Sequence, residues 1–194
     1  MIFASCEKST SQISNLKNGD LIFQTSLSSQ SQAIQVATNS KYSHCGIIYI
    51  ENGKSYVFEA VEPVKLTPLK DWIERGKDEH YVVKRLKDES RIDHPENLKK
   101  LKHVGASFKG KSYDLTFEWS DEKIYCSELI YKIYDRALNI KIGKLQTLKS
   151  FDLSNSIVRE KMKERYGENI PKNEKVISPK AIFESNLLKT VLVK

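Results

Sequence analysis

The chain has 194 residues, which at roughly 150 residues per domain favours one domain with a modest extension. Hydrophobic residues make up 39% of the chain, which is enough for a packed core, so the composition excludes a disordered protein. The longest apolar run of the chain (45–50) is too short for a membrane-spanning helix, which needs ~20 residues. The formal charge of +7 favours anionic partners such as nucleic acid, lipid head groups or cell-wall polymers.

The first residues resemble the end of a bacterial lipoprotein signal. A short apolar start is followed by two small residues, by Cys6, which would carry the lipid, and then by a polar stretch. Most of such a signal is missing, so the alternative is an ordinary terminus. We treat residues 1–17 as an N-terminal flank. If the signal is real, the protein works in the cell envelope or periplasm, held peripherally at the membrane by lipid; otherwise it is cytoplasmic.

Residues 18–194 are expected to form one domain, because no linker divides them. The predicted elements are, in chain order, a strand at 21–24, a helix capped by Ser28-Ser29, strands at 43–51 and 55–61, a short helix from Thr67-Pro68, a strand at 80–86, helices at 95–109, 125–138 and 156–166, a helix start at Ser178-Pro179, and a strand near Val191. Helices and strands are mixed without regular βαβ alternation, which predicts an α+β fold with an antiparallel sheet.

The turn at Asn52-Gly53 places a histidine near a carboxylate. Asn-Gly is the strongest short hairpin signal, and a two-residue turn pairs Glu51 with Lys54. In that register His44 and Glu59 share a face, one diagonal step and about 7–8 Å apart. A nearby carboxylate fixes the tautomer of a histidine and stabilises its charged form. The pair is either structural, which the hairpin alone favours, or half of a catalytic triad.

Cys126 is the candidate nucleophile that would complete such a triad. It stands at the start of the predicted helix 125–138, where free N–H groups lower a thiol pKa and can hold an oxyanion. Cys45 is adjacent to His44 in its strand, points to the opposite face, and is expected to be a small core residue. The cysteines and the four histidines lack the spacing of a zinc site, so no metal or other cofactor is expected.

Four separated segments carry a resemblance to a known family: 19–24, 43–46, 57–61 and 125–129. They resemble the YiiX/YebB-like permuted papain-fold enzymes, a group of the NlpC-type cysteine hydrolases that also include a lecithin retinol acyltransferase-like branch. The permuted order, with the histidine strand before the cysteine helix, makes the match specific. The resemblance implies a circularly permuted papain-like fold in which an antiparallel sheet or open barrel packs against helices.

The resemblance also implies roles for individual residues. Cys126 would be the nucleophile, His44 the general base and Glu59 the orienting third group. Tyr113 lies in a segment similar to the one that precedes the family's cysteine, and it would contact the oxyanion or the substrate. The implied activity is that of a cysteine amidase or peptidase that forms an acyl-enzyme and needs no metal.

Three functional hypotheses follow. The first is hydrolysis of a small amide, peptide or acyl substrate from the cell wall or from lipid, because most NlpC-type relatives cut amide bonds. The second is ester hydrolysis or acyl transfer on lipids at a membrane surface. The third is a non-catalytic binding module with an unreactive Cys126. No nucleic-acid partner is expected, because the basic run 99–103 falls on the solvent side of an amphipathic helix.

Overall fold

The computed structural model describes residues 15–194, so Cys6 and the proposed signal lie outside the described residues. The strands are β1 (Leu21–Ser26), β2 (His44–Glu51), β3 (Lys54–Glu59), β4 (Lys65–Pro68), β5 (Gly76–Leu86), β6 (Ser112–Tyr113), β7 (Lys123–Ile124), β8 (Gln146–Thr147), β9 (Lys175–Val176) and β10 (Leu188–Val193). The helices are α1 (Ser31–Thr38), α2 (Leu69–Glu74), α3 (Ser90–Asp93), α4 (Pro95–Ala106), α5 (Cys126–Leu138), α6 (Ser156–Tyr166) and α7 (Pro179–Phe183).

A six-stranded antiparallel sheet in the order β10-β5-β1-β2-β3-β4 organises the fold. Alternate residues of β1 face opposite sides, as strand geometry requires. Phe23 packs in the larger core cluster together with α5, whereas Ile22 packs on the other face with Trp72 of α2. The predicted α+β fold with an antiparallel sheet is confirmed.

The β2–β3 hairpin has the predicted register. Asn52 and Gly53 both have positive φ, at 51° and 75°, and Glu51 pairs with Lys54 across the turn. Both values are typical of a type I′ turn, whose twist matches that of the flanking strands. This turn therefore fixes where each residue of β3 stands relative to β2.

Two helix starts differ from the prediction. The short helix predicted from Thr67-Pro68 is present but begins at Leu69, with Pro68 as its N-cap instead of its first residue. Thr67 and Pro68 also end β4, where Thr67 pairs with Val57. Proline is tolerated there because β4 is an edge strand of the sheet. The serines at 28 and 29 do not cap α1, which starts at Ser31 without a side-chain cap.

A smaller layer lies beside the sheet. Helix α6 packs against α1, and buried Val158 and Met162 of α6 contact Val36 and Ala37 of α1. Between residues 15 and 194, no helix combines the length and the apolar character needed to cross a bilayer.

Candidate active site

The three predicted catalytic residues stand at the termini of three elements that lie close together. His44 is the first residue of β2, Glu59 is the last residue of β3, and Cys126 is the first residue of α5. Helix α5 packs against β2, which brings the start of the helix to the start of the strand. The cysteine and the histidine are therefore neighbours although 82 positions separate them in the sequence (126 minus 44).

His44 and Glu59 form a direct contact. The Nε2 atom of His44 lies 2.6 Å from the Oε2 atom of Glu59. The indole ring of Trp72 stacks on the imidazole, with 6.0 Å between the ring centroids. Because Nε2 is engaged by the carboxylate, the other ring nitrogen, Nδ1, is left for the thiol of Cys126.

Glu59 is fully buried and satisfied by four donors. Besides His44, the Oγ1 atom of Thr67 donates to its carboxylate at 2.6 Å, Nε1 of Trp72 at 2.9 Å, and Nη2 of Arg75 at 2.5 Å. Burial alone would raise the pKa of Glu59, but His44, Thr67 and Arg75 outweigh it and lower the pKa to about 2. The carboxylate therefore remains charged at neutral pH.

His44 is held in its charged form. Burial would lower its pKa, but hydrogen bonds and charges from Cys126 and Glu59 outweigh burial and raise the pKa to about 9. A histidine between two anionic groups behaves in this way because each of them stabilises the imidazolium.

Cys126 is held as a thiolate. Hydrogen bonding from the Cys45 side chain is the largest cause that lowers its pKa, and His44 and the Cys45 backbone act in the same direction against burial. The result is a pKa well below the usual range of a thiol. Cys45 shows the opposite effect, since burial and the neighbouring Cys126 raise its pKa. At neutral pH the site thus holds a thiolate–imidazolium pair beside a neutral thiol.

Tyr113, the fourth predicted site residue, lies beside the thiol of Cys126. Its hydroxyl oxygen accepts a hydrogen bond from Nε2 of Gln30 at 2.9 Å, so its own proton is free to be donated. Burial and the nearby Cys126 raise the pKa of Tyr113, which keeps the phenol protonated. Tyr113 and Cys126 line the same cavity.

Two cavities meet at the site. Cys126 lies on the wall of an apolar cavity whose other walls come from α1, α6 and the segments around Leu148 and Ile177. His44 lies on the wall of a wider, open cleft that also contains Gln24 and Arg75. Tyr113, Gln30 and Arg165 border both spaces.

Sequence reasoning missed three residues of this site. Cys45 was expected only in the core, where it does lie, but it also contacts Cys126 because α5 crosses β2. Gln30 belongs to the polar stretch 28–32, which the sequence explains adequately as a cap and exposed helix face although it could also line the cleft; the residue lines the cleft and holds Tyr113. Arg165 gave no sequence signal, since it stands in a run of surface charges. The polar stretch before α1 was the one clue to Gln30.

Within the described part of the chain, no three His, Cys, Asp or Glu side chains are grouped so that they could hold a metal ion.

Comparisons with known proteins show the family and the fold of the chain. Residues 15–192 match the model of the "Permuted papain-like amidase enzyme, YaeF/YiiX, C92 family". The chain is 50% identical over 175 residues to the uncharacterized protein YiiX of Escherichia coli K12, covering 90% of this chain and 85% of that one.

A solved structure is also similar. It is titled as the crystal structure of metalloprotein YiiX from Escherichia coli O157:H7, with 49% identity, a TM-score of 0.87, and coverage of 92% of this chain and 97% of that one. The order of the site residues, the antiparallel sheet with its helices, and the match over nearly the whole described chain lead to one conclusion. The chain belongs to the YaeF/YiiX family of permuted papain-like amidases.

Proposed function

We propose that the protein is a cysteine hydrolase that cleaves an amide or related acyl bond through Cys126, His44 and Glu59. The observation that carries the proposal is the paired site. A buried thiol at the start of a helix adjoins His44, and Nε2 of that histidine lies 2.6 Å from a buried, charged carboxylate. Family membership supports an amidase, and the geometry supports these three residues as its machinery.

The first half of the reaction forms an acyl-enzyme. The Cys126 thiolate attacks the carbonyl carbon, and the carbonyl π electrons move onto oxygen. The backbone N–H of Cys126 and the Tyr113 hydroxyl donate hydrogen bonds to that oxyanion. The His44 imidazolium then gives its proton to the leaving nitrogen or oxygen as the bond to the carbonyl carbon breaks.

The second half releases the acid. Neutral His44 takes a proton from a water molecule, whose oxygen attacks the thioester carbon. The carbon–sulfur bond breaks, which restores the Cys126 thiolate and the His44 imidazolium. Glu59 stays ionised throughout and keeps the imidazole in position.

The apolar cavity favours a second candidate, ester hydrolysis or acyl transfer on a lipid-derived substrate. An acyl group bonded to Cys126 would extend into a space lined by Ile34, Met162 and Leu148. Burial of a chain of methylene groups contributes about 0.8 kcal/mol per group. The cavity therefore favours substrates with an apolar acyl group over the polar peptides of a cell wall, whether the bond that is cut is an amide or an ester.

Nucleophile assignment is tested with acetyl and decanoyl p-nitrophenyl esters and p-nitroanilides. We expect the protein to gain the mass of one acyl group on the peptide that contains Cys126, and Cys126→Ala to lose turnover by on the order of 10³-fold or more. Acylation of Cys45 instead, or turnover that persists in Cys126→Ala, would contradict the proposal. Absence of any reaction would favour a non-catalytic binding module.

The cavity is tested with a substitution that narrows it. Ile34→Trp should lower kcat/KM for the decanoyl compounds while leaving the acetyl compounds nearly unchanged. Gln32→Trp, exposed on the same helix, is the control. An equal loss for both chain lengths would show that the cavity does not hold the acyl group.

A further inference from the structure

The proposed mechanism assigns the two cavities to the two parts of the substrate. The atom that leaves receives its proton from His44, so the leaving group must lie on the side of His44. Cys126 borders the apolar cavity, whereas His44 borders the open cleft. With the acyl group in the apolar cavity, the leaving group occupies the cleft.

The cleft carries more positive than negative side chains. Its ionisable lining residues, besides His44 and Tyr113, are Arg75, Lys123, Lys161, Arg165, Glu62 and Glu164. Two of the cations are already paired, since Arg75 contacts Glu59 at 2.5 Å and Lys161 contacts Glu164 at 2.5 Å. Lys123 and Arg165 remain without an ion pair among residues 15–194.

Arg165 is the better placed of these two cations. Its guanidinium donates to the side-chain oxygen of Gln30, a neutral acceptor, and lies 4.8 Å from the centre of the Phe117 ring. Gln30 in turn donates to Tyr113, so the cation is fixed one residue away from the proposed oxyanion contact. Burial lowers the pKa of Arg165, as expected for a cation that is partly desolvated and lacks a carboxylate partner.

We propose that the cleft is the leaving-group subsite and that Arg165 selects leaving groups that carry an anion, a carboxylate or a phosphate. This inference rests on the proposed function. A guanidinium has five N–H donors in a planar fork, and the contact with Gln30 leaves donors that match the two oxygens of such an anion. The substrate class is thus an apolar acyl group joined to an anionic amine or alcohol.

A matched pair of esters tests this selection. Decanoyl 4-hydroxybenzoate and its methyl ester share the acyl group and the bond that is cut, and they differ in the charge of the leaving group. Arg165 also holds Gln30 and, through it, Tyr113, so Arg165→Gln can lower kcat/KM for both esters. The loss for the anionic ester should exceed the loss for the neutral ester roughly tenfold, as expected for a hydrogen bond to a charged group. Lys163→Gln, which removes the same charge from the same helix outside the cleft, should change neither.

The outcomes separate the inference from the function on which it rests. Turnover of both esters with equal losses in Arg165→Gln would overturn the anion subsite and leave the hydrolase intact. Failure of both esters to acylate Cys126 in the unsubstituted protein would overturn the proposed function, and the subsite with it.

The two sources of the anion are distinguished by a third ester. Decanoyl 4-hydroxyphenyl phosphate replaces the carboxylate of the leaving group by a phosphate. If Arg165→Gln lowers kcat/KM more for the phosphate ester, the cleft is assigned to phosphorylated alcohols. If it lowers kcat/KM more for the carboxylate ester, the cleft is assigned to amino-acid-like groups. If Arg165→Gln left kcat/KM unchanged for both anionic esters, the proposal would be contradicted.

Discussion

The charges of Cys126 and Glu59 are linked through His44, which contacts both and whose own pKa depends on both. Glu59 is fully buried, and His44, Thr67 and Arg75 together outweigh burial and lower its pKa to about 2. That fixed negative charge and the thiolate raise the pKa of His44 to about 9, and the imidazolium in turn helps to lower the pKa of Cys126. A change at one residue should therefore appear as a changed titration at another.

Activity should depend on pH through His44. The imidazolium is the proton donor to the leaving group, and it is lost as pH rises through its pKa of about 9. We expect kcat/KM to be flat near neutral pH and to fall at higher pH, with a midpoint near 9. A profile that falls between pH 6 and 7, where an unperturbed histidine titrates, would show that His44 is not stabilised as proposed.

Glu59→Gln should affect both rate and titration. Without the carboxylate, the pKa of His44 decreases, so the fall in kcat/KM moves to lower pH, and kcat decreases by on the order of 10²- to 10⁴-fold. Glu51→Gln, at the exposed far end of the same hairpin, should leave the pH profile unchanged. A Glu59→Gln profile with its midpoint still near 9 would contradict the coupling.

Among the secondary-structure elements, the hairpin was predictable and the cavity was not. The Asn52-Gly53 turn is local, so it fixes the register that joins His44 and Glu59 from sequence alone. The apolar cavity combines side chains from α1, α5 and α6, and its existence depends on how those helices pack. The contact between Cys45 and Cys126 was missed for the same reason, because strand alternation gives a face but does not say which helix covers it.

Gly46 is the point in the hairpin that tolerates no side chain. A Cβ atom there would lie 2.3 Å from Cγ1 of Val57 and 3.0 Å from the carbonyl oxygen of Phe58. Gly46→Ala should destabilise the fold by about 1–3 kcal/mol and, because it pushes β3 away from β2, lower kcat/KM of the folded protein.

Urea denaturation and kinetics at a fixed folded concentration check this expectation. Gly53→Ala is the comparison, since it strains a positive φ in open space far from the site. It should reduce stability while leaving kcat/KM unchanged. Equal activity of the two variants would show that the β2–β3 contact does not position His44 and Glu59.

The described residues are expected to fold as a single unit. Core clusters cover both faces of one sheet, with Trp72 on one side and Trp119 near α5 on the other. The division into a flank at 1–17 and a domain at 18–194 stays a prediction, as do the lipid at Cys6 and the location in the cell envelope. The charge of +7 and the apolar cavity are compatible with work at a membrane surface.

A single cooperative unfolding transition would support one domain. In urea, tryptophan fluorescence and far-UV circular dichroism should give coincident curves with the same midpoint, because both faces of the sheet are lost together. Two separated midpoints would indicate that the α1–α6 layer, or another part, unfolds independently.

The thiolate–imidazolium pair can be measured most directly as the rate at which Cys126 reacts with iodoacetamide between pH 5 and 10, located by peptide mass mapping. A thiolate with a strongly lowered pKa predicts rapid labelling that changes little from pH 6 to pH 8, with Cys45 unlabelled. A rate that rises about tenfold per pH unit up to an ordinary thiol pKa near 8.5, or a label carried by Cys45, would contradict the assignment of Cys126 as an activated nucleophile.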